Sequence, residues 1–233
     1  MNFILIYNVF ILVLIILFLF ILIKISTPMF ILFLVFFVYM YYLSFEHLLK
    51  RNFIYKINKQ LHRISNIENI KYEDLKILDF GSGKNCLTAK KFPNLDITSI
   101  DIVDSNDPKY IKYDGNVKKL PFKDKQFDIV ISCFVLHHIE EQEDIIKELK
   151  RISKYIILYE DDITTAPNKF LFTEISKAHY NFFDQDIELV KYIHTPNKWI
   201  SMFNCDVLFK ENIKGVFMYG FVPHICLIFK VDK

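Results

Sequence analysis

The sequence predicts an α/β fold built on a mostly parallel, doubly wound sheet of seven strands, preceded by one or two membrane-crossing helices. Three observations predict it. From residue 75 onward, short apolar runs alternate with amphipathic stretches, which is the β-α-β rhythm of a parallel sheet. The first of these runs ends in a glycine turn, Gly81-Ser82-Gly83, where open sheets of this kind bind ligands. Finally, 38 of the first 45 residues are apolar, and Lys24 is the only charge among them.

Phe3 to Ile23 is an apolar run broken only by Asn8, long enough to cross a hydrocarbon core of about 30 Å at roughly 1.5 Å per helical residue. Lys24, Ser26, Thr27 and Pro28 interrupt it. Met29 to Phe45 follows as a shorter run, with Tyr39, Tyr41 and Tyr42 near its end as an interfacial belt. A helical hairpin over 1–45 is the expectation, with a single crossing plus an interfacial segment as the variant. A cleaved signal peptide is not expected, since the basic start, short core and small-residue cleavage site are missing. Lys50, Arg51, Lys56, Lys59 and Arg63 then follow closely, against one acid, Glu46, so positive-inside bias puts the C-terminal part in the cytoplasm. Leu49, Phe53, Ile57, Leu61 and Ile64 recur at helical spacing, predicting an amphipathic linker helix over 46–69. It either lies on anionic lipid or packs on the following domain. Membrane lipids are thus expected partners of residues 1–63.

Beyond residue 63 the chain is slightly acidic, without a basic stripe, and nucleic acid is not an expected partner. Cys86, Cys133, Cys205 and Cys226 are widely spaced, with no zinc pattern, and read as reduced thiols. No metal ligand set is expected.

The soluble part, 70–233, reads in order. Lys76 to Phe80 is a buried strand ending at the glycine turn, and Asn85 to Phe92 a helix stopped by Pro93. Ile97 to Ile102 is a second strand and Tyr110 to Tyr113 a weaker third. Phe127 to Cys133 is a fourth, with the continuous apolar run Ile129-Val130-Ile131 that suits a sheet covered on both faces. Glu140 to Ile152 places Ile145, Ile146, Leu149 and Ile152 on one helical face, and Tyr155 to Tyr159 is a fifth strand. Thr195-Pro196 opens a helix through Phe203, with Thr as cap and Pro at the first position. Asp206 to Asn212 and Ile225 to Val231 close the sheet as an antiparallel pair.

Gly81 and Gly83 let the backbone approach a ligand closely. Asp79 just before them would repel a pyrophosphate and welcome an ammonium. Asp101, at the end of the second strand, can accept hydrogen bonds from ribose hydroxyls. Together they describe a nucleoside with a cationic tail. A dinucleotide fingerprint fails at Cys86, and a Walker loop fails at Leu78 and Asn85.

The run Ile77 to Gly83 resembles motif I of the class I S-adenosylmethionine-dependent methyltransferases, which have a Rossmann-like seven-stranded sheet. Asp101 matches that family's ribose-binding acid. Gly115-Asn116-Val117-Lys118-Lys119-Leu120-Pro121-Phe122 is similar to its Gly-Asp-Ala-x-x-Leu-Pro-Phe segment, followed by Phe127-Asp128-Ile129-Val130 and by Ser132 to Ile139. Three departures stand out. Asn85 replaces the third glycine, Asn116 replaces the adenine-contacting acid, and Ser153-Lys154 stands where Pro-Gly-Gly is usual. The resemblance implies S-adenosylmethionine as cofactor. Gly81, Ser82 and Gly83 would line its methionine portion, Asp79 would hold the amino group, Asp101 and Ile102 the ribose, and Asn116 and Val117 the adenine.

It also implies that His138 faces the methyl group, as general base or as a structural cap of the next helix. Glu160-Asp161-Asp162 would be a solvated turn, a contact to a cationic or hydroxylated acceptor, or a magnesium site. Trp199, Phe203, Phe217 and Tyr219 would form core or a lid. The expected activity is methyl transfer to a small or lipid-like acceptor at the membrane. The alternative is a non-catalytic binding or scaffold protein on the same fold.

Overall fold

A computed structural model describes residues 27–115, 119–162, 192–213 and 224–231. Seven strands form one sheet: β1 (Lys76–Phe80), β2 (Asp96–Asp101), β3 (Tyr110–Lys112), β4 (Phe127–Cys133), β5 (Ser153–Asp161), β6 (Asp206–Ile213) and β7 (His224–Lys230). Their order is β3-β2-β1-β4-β5-β7-β6. The first five are parallel, and β7 runs antiparallel to both β5 and β6. The helices are α1 (Thr27–Glu68), α2 (Leu87–Lys91), α3 (Gln142–Ile152) and α4 (Pro196–Phe203).

Strand alternation divides the core in two. Leu78, Val130, Ile156, Leu158, Leu227 and Phe229 point to one face, under Ile145, Ile146 and Leu149 of α3 and Trp199 and Phe203 of α4. Ile77, Ile129, Ile131, Ile157 and Ile228 point to the other, under Phe53, Ile57, Leu61 and Ile64 of α1. The sheet is therefore covered on both faces, which is why its central strands carry consecutive apolar residues, such as Ile129-Val130-Ile131 in β4 and Tyr155 to Tyr159 in β5. Trp199 and Phe203 are fully buried, and Phe203 stacks on Phe229 with ring centroids 4.2 Å apart. They are core rather than lid. Phe217 and Tyr219 lie outside the described residues.

The N-terminal expectations need correcting. Met29–Phe45, expected as its own helix, is the first part of α1, which continues to Glu68 without a break. The physical reason is that the boundary at Phe45-Glu46 changes composition, from apolar to basic, but contains no helix breaker. Among the described residues, no helix is long and apolar enough to cross a membrane, so the hairpin gains no support. The first run, Phe3–Ile23, lies outside the described residues.

The chain divides into two compact units, 1–48 and 49–233. Of the two alternatives for the linker helix, its apolar stripe takes the protein. Phe53, Ile57, Leu61 and Ile64 are buried against the sheet, Lys56 Nζ pairs with Glu211 Oε1, and the Arg63 guanidinium lies 3.7 Å from the Phe209 ring centroid. That stripe is not left for a lipid surface.

Candidate functional site

The site is built where β1, β2, β4 and β5 end. Gly81 N and Ser82 N both donate to Ile100 O, at 2.9 and 3.3 Å, which folds the loop over the end of β2. Gly81 has a φ of +76° and Gly83 a φ of +64°, both in the left-handed region. A Cβ at Gly81 would lie 2.1 Å from Val135 Cγ2, so glycine is required there for space as well. A Cβ at Gly83 would meet nothing within 4 Å, so this face of the loop is open to a ligand.

Asp101 holds the loop. Its Oδ2 accepts from Gly83 N at 2.7 Å, and its Oδ1 accepts from Ile102 N at 2.7 Å and Val103 N at 3.3 Å. Ile102 is largely exposed, and its Cγ2 lies 3.3 Å from where a Cβ would stand on Gly115. Asn116 and Val117, the next two residues along the chain, lie outside the described residues.

Asp79 sits behind the loop, almost fully buried, level with Ser99 across the β1–β2 pair. Burial pushes its carboxyl up to about 7, against a hydrogen bond from Thr88 that lowers it, and the nearby charge of Asp101 adds to the rise. A buried acid of this kind gains most from a cation placed next to it.

The residue that takes the left-handed conformation after the glycine pair is Cys86, with φ 44° and ψ 52°, rather than Asn85. Its thiol is fully buried and lies 3.2 Å from Ser105 Oγ. The four cysteines are unbridged thiols. Burial raises Cys133 well above the ordinary thiol range and Cys226 to about 12, which makes neither a nucleophile.

The turn after β4 starts with strain. Phe134 has a φ of +60°, a conformation that costs a bulky side chain of order 1–3 kcal/mol. Its N–H donates to Tyr159 O at 2.8 Å, and its ring meets His224 edge-on. The chain then makes a single 3-10 turn, Leu136–His138. His138 is partly exposed there, in the turn that follows the open end of β4.

Glu160, Asp161 and Asp162 are not a solvated turn: they are 1%, 5% and 2% exposed. Glu160 and Asp161 are the last residues of β5 and point to opposite faces of the sheet. Asp161 Oδ1 pairs with His224 Nδ1 at 2.8 Å on the directly opposed β7 position. Glu160 Oε1 accepts from Leu136 N at 2.9 Å, and its Oε2 lies 2.5 Å from His137 Nδ1. Such carboxylates stay buried because each meets an imidazole or a backbone N–H. Among the described residues, no group of His, Cys, Asp and Glu is arranged to hold a metal ion. His137 was not singled out by the sequence. The signal was the Leu136-His137-His138 run facing an acidic strand end.

Residues 78–155 match the family described as Methyltransferase domain. No curated protein matches the chain. Among solved structures, an S-adenosylmethionine-dependent methyltransferase from Methanosarcina mazei is 16% identical, with a TM-score of 0.54 over 72% of this chain and 98% of that one. The MccD protein is 13% identical, with a TM-score of 0.51 over 69% and 91%. The [4+2]-cyclase SpnF is 14% identical, with a TM-score of 0.50 over 67% and 74%. At these identities the likeness is one of fold: the chain has the seven-stranded, Rossmann-like architecture of a methyltransferase domain.

The residues fit S-adenosylmethionine. The open face at Gly83 leaves room for its chain, Asp79 is a buried carboxylate suited to its ammonium, and Asp101 is an acid at the end of β2, where the resemblance expects the ribose.

Proposed function

We propose that the chain is an S-adenosylmethionine-dependent methyltransferase held at a membrane by its N-terminal segment, with a small or lipid-like acceptor. The observation that carries the cofactor assignment is the glycine loop tied to Asp101 across two adjacent strands, with the buried Asp79 behind it. Asp79 takes the ammonium, Gly81 and Gly83 flank the aliphatic portion through their backbone, Asp101 and Ile102 take the ribose, and Asn116 and Val117 flank the adenine. When bound, the cofactor supplies a methyl group on a cationic sulfur, which keeps the C–S electron pair as the acceptor's lone pair takes the methyl. Because the leaving group is good, the protein's work is alignment and electrostatics. His138 stands on the acceptor side.

The membrane assignment rests on composition and exposure. The first 45 residues are overwhelmingly apolar, and Ile31, Leu32, Val35 and Phe36 on α1 are each more than half exposed. At about 100° per residue these four positions share one broad apolar face of the helix, an exposed patch of the kind that meets a membrane or another protein. Lys50, Arg51 and Lys59 follow, which favours a cytoplasmic catalytic domain. An acceptor dissolved in the bilayer is then brought near the site.

A binding-only reading is favoured by two departures from the family pattern, Asn85 and Asn116, because fold alone does not fix chemistry. Incubating the protein with radiolabelled S-adenosylmethionine and fractionated lipid, protein and small-molecule pools separates the two. Label in a lipid or small-molecule fraction is expected. Cofactor binding with no label in any fraction would favour the binding-only protein.

A further inference from the structure

We propose that His137 is a positioning residue: clamped by Glu160, it presents Nε2 to His138 and so sets the orientation and tautomer of the imidazole on the acceptor side. The contact itself is independent of the methyltransferase reading. Only the role of His138 rests on it.

The chain of contacts begins in the core. His137 and Glu160 are each 1% exposed. Both Glu160 oxygens are used as acceptors, one by Leu136 N–H and one by His137 Nδ1, so the proton of that pair lies on Nδ1. The only other heteroatom of the ring, Nε2, lies 3.0 Å from His138 Nε2. Two imidazole nitrogens at that distance share one proton. With none their lone pairs repel, and with two their hydrogens collide.

The surroundings hold the geometry in place. Gln142 Nε2 donates to Leu136 O at 2.8 Å, and Tyr192 N donates to His137 O at 3.0 Å. Gln142 Oε1 meets His194 Nε2 at 2.7 Å. The turn is thereby tied to α3 and to the segment before α4. Among the described residues, the titratable groups around His137 are Glu160 and Asp161 from β5, His138 in its own turn, and His194 across Gln142.

The direction of protonation follows from these neighbours. Burial alone pushes His137 down. The Glu160 carboxylate, by charge and by hydrogen bond, more than offsets this, with Asp161 adding to it, and the net direction is up. A cationic His137 donates from Nε2, so His138 accepts at Nε2 and keeps its own proton on Nδ1. His138 is then the Nδ1–H tautomer, which narrows the general-base expectation. When the pair gives up one proton, the shared proton moves to His138 Nε2 and its Nδ1 becomes the basic nitrogen.

Long-range nitrogen–proton correlation spectra of the full chain in detergent, with no cofactor present, report the tautomer of each ring. At pH 6, His137 should carry both protons and His138 Nε2 should be unprotonated. On raising the pH, the His138 tautomer should invert in the same step in which His137 titrates. Glu160→Gln should move that step down by roughly one pH unit or more. If His138 carries its proton on Nε2 throughout while His137 titrates, the proposal fails. Should Glu160→Gln not fold, the titration of the unaltered protein decides alone. Calorimetry with S-adenosylhomocysteine keeps the two readings apart. Absent binding sinks the methyltransferase reading and leaves the ring tautomers as evidence for the positioning.

Discussion

Asp79 links the pH of the solution to what the loop can bind. Its carboxyl is protonated below about 7 in the fold alone, whereas an ammonium ligand demands the ionised form. Affinity for S-adenosylhomocysteine should therefore fall by about tenfold for each pH unit below 7. Calorimetry over pH 5–8 measures this, and Asp79→Asn should flatten the profile while weakening binding at pH 8. The same shift acts on stability with a definite sign. The folded carboxyl lies above its unfolded value of 3.8, so the native state holds the extra proton and stability declines as pH rises from about 4 to 7. Asp79→Asn, without ligand, should remove that decline in denaturant titrations.

The two loop glycines should separate experimentally. Gly83→Ala meets only the cost of a positive φ, about 1–2 kcal/mol. Gly81→Ala adds a collision with the stiff Val135 side chain and should destabilise clearly more, as urea unfolding would show. At this scale the glycine pair, Asp79 and Asp101 were legible because each lies at or just past the end of a strand that reads clearly from its apolar run. The left-handed slot at Cys86 and the Glu160–His137 pair were not. The first depends on how the loop closes onto β2, and the second on β5 ending beneath a turn 23 residues away in sequence.

At the scale of elements, the second part of α1 is a structural face of the sheet. Leu61 and Ile57 are fully buried there, and Leu61→Ala should cost about 2–5 kcal/mol. A chain beginning at residue 49 should stay folded and soluble, whereas one beginning at residue 70 should expose the Ile77, Ile129, Ile131 and Ile157 face and aggregate, as size-exclusion chromatography would reveal. The strands were legible because buried parallel strands are short, apolar and punctuated, and the closing pair is antiparallel as expected. The α4 cap was also readable: Thr195 Oγ1 accepts from Lys198 N at 3.2 Å, with Pro196 at the first turn. The run of α1 through Phe45-Glu46 was not, because a change of composition there looks like a boundary while helix propensity continues across it.

At the scale of the whole molecule, the account joins an apolar N-terminal segment to a nucleoside-binding sheet, and the cofactor claim is central to it. Titration of the full chain in mild detergent with S-adenosylhomocysteine tests that claim most directly, run beside Asp101→Ala. The account predicts saturable one-to-one binding by the unaltered protein. It also predicts a loss of about tenfold to a hundredfold in affinity for Asp101→Ala, the range for one or more hydrogen bonds to a charged group. No binding at millimolar ligand by a protein that is demonstrably folded, or an affinity unchanged by Asp101→Ala, would contradict it.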